Sequence, residues 1–469
     1  MKKYISLLLC CAALWLCACG SQKRAAEIPA AVGDTKAAQA VNAEFTTDDG
    51  LIKISIHDDN ADSIPAAMPV LRVRPKIITS DMARQKAKGL FGEAELYEYS
   101  EELSKAEIAD MIAVYEYAVT DESIKADHGE DAPQSWIESV RDARLAILEY
   151  YRNAYANARE EVTPRACEWK FYPMEHYAVH GFGYAGSDQY YTDAFPAGIS
   201  VDLRAVTELG GVPYEFWVNN NEREDFCSHS LSVFVLTPDS GGTAEERRAQ
   251  TREWYMSMGL YPDAAADKSA LEAACAKAVA LANEMGLGEW RFNAAAADRT
   301  DTTGEGWQID VTGRPVYEGY PVNWQSTAGQ DCSPESLTIR MTNSGALIDL
   351  QYTSPMEIVE VTEQTAALKT REDMEPLAIQ AMRELNCETL IPGHASEKEY
   401  WDGVCVGYIR VPCGGGDFLL VPSLSFPGRL SVTGCIPGVH ESPMELLDRD
   451  GDGYNVSLDF DLRSGGRIE

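Results

Sequence analysis

The sequence is poor in basic residues and in apolar runs long enough to cross a membrane. It has 40 lysine and arginine residues against 74 aspartate and glutamate residues, and its formal net charge is −34 at pH 7. This balance repels phosphate backbones and anionic headgroups, so it argues against nucleic-acid binding and favours basic partners or divalent cations. The apolar run at residues 5–16 is too short to span a bilayer as a helix.

Local signatures of catalysis are also missing. The chain contains no His-Glu-x-x-His, no Gly-x-Ser-x-Gly and no Gly-x4-Gly-Lys-Ser/Thr sequence, the patterns of zinc proteases, serine hydrolases and phosphate-loop enzymes. Two carboxylates for glycoside hydrolysis need only meet in space, so the abundance of acidic residues leaves that class open. The sequence points away from an enzyme and keeps a hydrolase as the alternative.

The first twenty residues, MKKYISLLLCCAALWLCACG, carry the clearest signal. Two lysines precede the apolar segment, which ends in the sequence Leu-Cys-Ala-Cys at residues 16–19. This pattern resembles a bacterial lipoprotein signal, and the resemblance implies cleavage before Cys19 and lipid attachment to its thiol. We therefore predict a lipid-anchored protein on the extracytoplasmic face of the cell membrane. An ordinary secretory peptide with incidental cysteines is the alternative.

Beyond Cys19 the chain has an even number of cysteines, which permits disulfides in an exported protein but does not reveal their pairing. These cysteines are Cys167, Cys227, Cys275, Cys332, Cys387, Cys405, Cys413 and Cys435. No two of them have the Cys-x-x-Cys spacing of a redox or zinc site. Cys275 lies among alanines in LEAACAKAVALA, which favours a small buried thiol within a helix.

Composition and periodicity divide the chain into segments. A region rich in alanine, glycine and polar residues follows the signal and predicts a tether. The alternation of Ile52, Ile54 and Ile56 with polar residues predicts a half-buried strand. The predicted segments are a signal peptide (1–18), a flexible tether (19–45), first strands and a helix (46–92), a helical hairpin insertion (93–162), a β-rich segment with a helix (163–262), and two similar units (263–364 and 365–469).

Capping signals predict where several helices begin and end. Thr79 or Ser80 begins a helix that Gly92 closes, and Asp267 or Ser269 begins another. The insertion contains two capping boxes, one at Ser104 and one at Ser135, that predict two antiparallel helices. We expect the acidic sequence DESIKADHGEDAP to form the loop between these two helices.

The last two fifths of the chain place a helix before antiparallel strands twice. The segment GRPVYEGYPVNW followed by SLTIRMTNSGALIDLQY is similar to PepSY-type and YycH/YycI-type extracytoplasmic domains, and ITSDMARQKAKGLFG and TREDMEPLAIQAMREL look like the helices that open such units. The ensemble also resembles uncharacterised lipoproteins of anaerobic gut bacteria. The resemblance implies an α+β fold of repeated helix-plus-antiparallel-sheet units with a helical hairpin insertion. It also implies a non-catalytic role, in which such domains inhibit peptidases or contact sensor kinases.

If the two units are equivalent, they should share one strand order. The residues expected to seat their helices on the sheets are Ala273, Val279 and Leu281 in the first unit, and Leu377, Ile379 and Met382 in the second.

An Asp-rich loop near the end of the chain suggests calcium. Asp448, Asp450 and Asp452 offer carboxylates at alternate positions before a glycine, and the spacing continues through Tyr454 to an acidic residue at the twelfth position, Asp459. An aspartate is shorter than the usual bidentate glutamate at that position, and strand residues follow the loop. The alternative is a solvated acidic turn.

A second, weaker metal candidate joins two histidines. His176 and His180 lie four residues apart, next to Glu175, with Cys167 upstream. On a helix these imidazoles would share a face and could bind zinc, but the surrounding sequence favours strand and turn, where they lie too far apart.

The sequence therefore predicts a lipid-anchored binding or regulatory protein outside the cytoplasmic membrane. Its expected partners are the membrane, through the lipid, and an extracytoplasmic protein, with no nucleic acid; calcium is the candidate cofactor. The alternative is a hydrolase acting on wall or dietary glycans. A substrate-capture lipoprotein of a transporter would need two lobes with parallel strands, and the antiparallel pattern argues against it.

Overall fold

A computed structural model of the chain shows an α+β protein with two mainly antiparallel sheets, a large one of eleven strands and a smaller one of nine in the part of the chain that it describes. It describes residues 28–29, 39–48, 50, 52–61, 63–99, 103–129, 133–173, 189–192, 195, 199–223, 226–237, 244–261, 264–299, 306–323, 334–384, 394–400, 404–435 and 454–468.

Seven helices and twenty strands are found in these residues. The helices are α1 (Ser80–Phe91), α2 (Lys105–Ala118), α3 (Asp121–His128), α4 (Gln134–Tyr155), α5 (Ala244–Ser257), α6 (Lys268–Glu284) and α7 (Arg371–Arg383). The strands are β1 (Ile28–Pro29), β2 (Gln39–Thr46), β3 (Ile52–Ala61), β4 (Ala67–Pro75), β5 (Tyr97–Glu98), β6 (Tyr172–Pro173), β7 (Ser200–Leu209), β8 (Val212–Arg223), β9 (Phe226–Val235), β10 (Trp290–Asp298), β11 (Trp307–Tyr317), β12 (Tyr320–Pro321), β13 (Ser336–Met341), β14 (Leu347–Thr353), β15 (Met356–Ala367), β16 (His394–Tyr400), β17 (Cys405–Gly414), β18 (Asp417–Cys435), β19 (Tyr454–Asp461) and β20 (Arg467–Ile468).

The strands form two sheets. The large sheet takes its strands from the middle of the chain, in the order β10-β11-β13-β14-β9-β8-β7-β5, with the short β1 beyond β10. The small sheet combines strands from both ends of the chain, in the order β15-β4-β18-β16-β3-β2, with β17 and β19 also paired to β18. The chain passes between the sheets from β4 to α1 and again from β14 to β15, and these passages touch where the Lys76 N–H donates to the Pro355 carbonyl at 2.7 Å.

One arrangement occurs twice within the large sheet. α1 is followed by β5, β7, β8 and β9, and α6 is followed by β10, β11, β13 and β14; each set of four strands pairs in chain order. The last strands of the two sets, β9 and β14, pair antiparallel with Val233 opposite Leu350. Helices α2 to α4 lie between β5 and β7 in sequence, within the segment 93–162 for which a helical hairpin insertion is predicted.

α1 and α6 share one hydrophobic core with the strands of the large sheet. Residues three and four apart form the buried stripe of α6, and most of them are small: Leu271, Ala274, Cys275, Ala278 and Ala282. The short side chains let the two helices approach closely at Gly89 of α1. Thr79 caps α1 and Asp267 caps α6 through their side-chain oxygens, as predicted.

Half of the predicted helix contacts are observed, because the buried stripes follow other positions of the two helices, through Ala274 and Ala278 in α6 and through Met374 and Ala378 in α7. Leu281, Ile379 and Met382 contact the cores, whereas Ala273, Val279 and Leu377 are exposed.

The common strand order expected for 263–364 and 365–469 is not observed. After α7 comes β16, which pairs with β18 and, in parallel, with β3. β18 is 19 residues long and pairs along its length with β17, β19, β16 and β4. Strands from the N-terminal part of the chain thus complete this sheet, a non-local pairing that the sequence pattern does not contain.

Two further boundaries differ from the predictions. Residues 39–45, assigned to the tether, belong to β2, which pairs antiparallel with β3. The predicted loop of the insertion contains α3, because Thr120 caps a short helix by accepting from the Ser123 N–H at 3.2 Å. The Ser104 capping box is present, but α4 begins at Gln134 without a side-chain cap. No helix in the described part of the chain is long and apolar enough to cross a membrane.

Candidate functional site: a cavity between the sheets

A cavity of about 370 Å³ lies where the chain passes between the two sheets. Its walls come from the β4–α1 connection, α1, the loop between α6 and β10, the end of β11, the residue before β13, β14 and the start of β15. Its lining includes four ionisable aliphatic side chains of both signs: Lys76, Lys86, Glu289 and Glu335.

Glu335 is the most extensively hydrogen-bonded of these side chains. The Tyr317 hydroxyl donates to Glu335 Oε2 at 2.6 Å, and the Tyr352 hydroxyl donates to Oε1 at 2.9 Å. The backbone N–H of Met356 also donates to this carboxylate. Burial raises the pKa of Glu335 to about 7, although these hydrogen bonds and the nearby Lys86 charge oppose the rise. The carboxyl group can therefore donate or accept a proton near neutral pH.

The two tyrosines remain neutral donors. Burial and the adjacent Glu335 carboxylate both raise the pKa of Tyr317 and of Tyr352. Tyr352 is held in place by the edge-on ring of Trp290, with centroids 5.9 Å apart. The Trp290 indole N–H donates to the Leu287 carbonyl at 3.1 Å, which fixes the loop that closes one side of the cavity.

Lys86 brings a buried positive charge to the same cavity. It is 5% exposed and lies on the inward stripe of α1 with Ala83, Ala87 and Leu90. Its ammonium lies 5.3 Å from the centroid of the Tyr352 ring. Burial, assisted by the charge of Lys76, lowers the pKa of Lys86 to about 8. Lys86 therefore stays mainly charged at pH 7.

An acid–base group, a cation and an apolar surface line the same cavity. Met82, Leu287 and Met356 supply apolar surface, while Glu335 and Lys86 supply groups that can recognise a donor and an anion. Such a combination is typical of sites for small molecules.

Little of the predicted calcium loop falls in described residues. Asp448, Asp450 and Asp452 lie outside them, and the backbone of Tyr454 begins β19, so a strand follows the loop as expected. Asp459 lies within β19 opposite Ser425. Its carboxylate accepts hydrogen bonds from the hydroxyls of Ser425 and Ser457.

Burial dominates the electrostatics of Asp459. It raises the pKa of this carboxyl to about 6, against the two serine hydrogen bonds and the charge of Arg467. Ser425 also accepts from the Asn323 amide at 2.6 Å, so Asp459 belongs to a polar network between β19, β18 and the segment after β12. Among the described residues, no three histidine, cysteine or acidic side chains converge on a metal position.

The weaker zinc set is also mainly outside the described residues. Glu175, His176 and His180 are not described, and Cys167 is partly buried, with burial raising the pKa of its thiol. Cys275 is a buried free thiol, as predicted, and Cys413 is an exposed free thiol.

Sequence reasoning missed the cavity because its residues come from segments far apart in the chain. Glu335 is one of 74 acidic residues and has no local motif. Lys86 did leave a signal, since a lysine at the inward position of an amphipathic helix interrupts an otherwise apolar stripe.

Comparisons with known proteins add a distant structural likeness. No family model matches the chain, and no curated protein matches it. A crystal structure of an uncharacterised protein from Eubacterium rectale is similar to this chain with a TM-score of 0.38 and 11% sequence identity, over 91% of this chain and 93% of that one.

Proposed function

We propose that this chain is a lipid-anchored protein on the outer face of the cytoplasmic membrane that binds a small ligand in the cavity between its sheets. The observation that carries the binding role is the cavity, in which Glu335, two tyrosine hydroxyls and the buried Lys86 face the same space. A regulatory role fits the position of the cavity, because its lining includes Lys76 from one passage between the sheets and Met356, the first residue after the other passage.

The signal at residues 16–19 supports the location, and the helix followed by a four-stranded meander supports a PepSY-like architecture for 80–235 and 268–353. A protein partner outside the membrane remains part of the proposal, and nucleic acid does not, because the net charge is −34. The calcium prediction rests on the spacing from Asp448 to Asp459 alone.

The location is tested by metabolic labelling with an alkyne fatty acid. We expect Cys19→Ser to abolish labelling, because its thiol is the predicted attachment point, and to leave the precursor uncleaved or release the protein. Cys17→Ser is the matched control and should keep the label. Label retained on the Cys19 variant would show that the anchor was misassigned.

Hydrolysis of glycans is the second candidate function, and one observation favours it. The pKa of Glu335 is about 7, a value suited to a general acid, and Glu289 lines the same cavity. The test is hydrolysis of fluorogenic glycosides by the wild-type protein and by Glu335→Gln. For a binding protein we expect neither the wild type nor the variant to hydrolyse the glycosides above the blank. Hydrolysis by the wild type that is absent from Glu335→Gln would favour an enzyme over a binding protein.

A further inference from the structure

The Lys86 ammonium is a buried charge that pairs with no carboxylate at hydrogen-bond distance among the residues that the structure describes. The side chain is 5% exposed. Within the described part of the chain its ammonium makes no hydrogen bond or ion pair, and it lies over the face of the Tyr352 ring, 5.3 Å from the ring centroid. The nearby Glu335 carboxylate is already occupied by two tyrosine hydroxyls and the Met356 N–H.

Such an arrangement is costly for the empty protein. A buried charge loses its hydration and is stabilised only when an opposite charge or several hydrogen bonds replace the water. A methionine at position 86 would fill a similar volume without this cost. The lysine faces a cavity of about 370 Å³, a volume in the range of sites for small organic molecules. A ligand can therefore supply the missing partner.

The other charges in the cavity restrict the ligand. Glu289 and Glu335 line it together with Lys76 and Lys86, so a second negative charge on a ligand would lie in a cavity that already holds two acidic side chains. A single negative charge is matched by the ammonium of Lys86. Met82, Leu287 and Met356 offer an apolar surface to the rest of the molecule.

We propose that the cavity binds a small organic carboxylate, whose negative group pairs with Lys86 and whose apolar part contacts Met82, Leu287 and Met356. This inference rests on the proposed small-ligand function and specifies its chemical class.

The binding should depend on pH through Glu335. The groups that face it are Lys86 from α1, Tyr317 from β11, Tyr352 from β14 and the Met356 N–H, with Lys76 and Glu289 also lining the cavity. Lys86 keeps most of its charge below pH 8 and the two tyrosines stay neutral, so among these four side chains Glu335 is the one that changes charge near pH 7. Ionised Glu335 repels the ligand, and affinity should fall several-fold between about pH 6 and about pH 8.

The experiment is calorimetric titration of the full-length chain in detergent with acetate, butyrate and benzoate, and with benzamide and benzylamine as neutral and cationic probes. We expect at least one carboxylate to bind with Kd below about 10 mM, and about tenfold more tightly than its neutral counterpart. Lys86→Met should lower the affinity for that carboxylate by a factor of at least about ten. Lys88→Met, two residues along the same helix where the side chain is 71% exposed, should bind as the wild type does.

The outcomes separate this inference from the function on which it rests. Equal affinity for benzoate and benzamide, or unchanged carboxylate binding by a folded Lys86→Met variant, would overturn the carboxylate class. Binding of neutral or cationic probes alone would do so too, while leaving small-ligand binding intact. If no probe of any charge binds, both proposals fail. Glu335→Gln, which carries no titrating proton, should lose only about twofold in affinity between about pH 6 and about pH 8, because Lys86 is half neutral at the upper limit; a fall as steep as that of the wild type would contradict the assigned role of Glu335.

Discussion

Replacing Lys86 by methionine should make the protein more stable, by about 3 kcal/mol at pH 7. Burial lowers the pKa of Lys86 from 10.5 to about 8, and each unit of this shift corresponds to about 1.4 kcal/mol between the charged and neutral forms. Below pH 8 the lysine is charged in both the folded and the unfolded protein, so the folded state carries the whole cost. Guanidinium unfolding followed by tryptophan fluorescence measures the difference.

The size of the effect changes with pH in a defined way. Because the folded-state pKa of Lys86 is depressed, the wild-type protein gains stability as the pH rises from about 8 towards 10.5, where the lysine is neutral in both states. The advantage of Lys86→Met should therefore shrink over this window. Lys88→Met, at an exposed position, should change stability by less than about 0.5 kcal/mol. A Lys86 variant less stable than the wild type at pH 7 would show that the ammonium is satisfied in the empty cavity.

Local chemistry explains why several helix ends could be predicted from sequence. Thr79, Ser104 and Asp267 each accept a backbone N–H within the first turn of the helix that follows. These interactions involve residues three apart, so the sequence pattern contains them fully. Cys275 was also placed correctly, because an alanine-rich helical stripe has room for a small thiol.

The strand order could not be predicted in the same way. Alternating residues identify a strand but do not identify its neighbour, and β18 pairs with β4 across more than 340 residues of chain. The sequence therefore led to the two consecutive helix-plus-strand units at 263–364 and 365–469, whereas the helix-plus-meander arrangement occurs in 80–235 and 268–353. In 80–235, helices α2 to α4 are inserted between β5 and β7. They separate α1 from most of its strands in the sequence, so the helix-plus-meander order cannot be recognised there from the sequence pattern.

The cavity was unpredictable for a related reason. Tyr317, Glu335 and Tyr352 come together because β11, β13 and β14 are neighbours in the large sheet. Lys86 joins them because α1 lies over this part of the sheet. Each residue alone is ordinary, and only the tertiary arrangement gives Glu335 and Lys86 their shifted pKa values.

The contact between α1 and α6 holds one wall of this cavity against another, and it depends on a glycine. A Cβ atom on Gly89 would lie 2.4 Å from the Glu284 carbonyl oxygen and 2.8 Å from the Met285 nitrogen. Both atoms belong to the backbone of the segment that ends α6, so no side-chain rotation can relieve the overlap. The two helices must separate to admit even one methyl group.

Gly89→Ala should therefore destabilise the protein by about 1–3 kcal/mol, although alanine favours an isolated helix by about 1 kcal/mol over glycine. Gly466→Ala is the matched control, because its added Cβ would come no closer than 3.4 Å to the Ser464 hydroxyl. The same change at Gly89 should weaken carboxylate binding, since α1 carries Lys86 and the loop after α6 carries Leu287. Unfolding curves and benzoate titrations of both variants check the two effects together. A Gly89 variant as stable as the Gly466 variant would mean that the helices do not meet at this glycine.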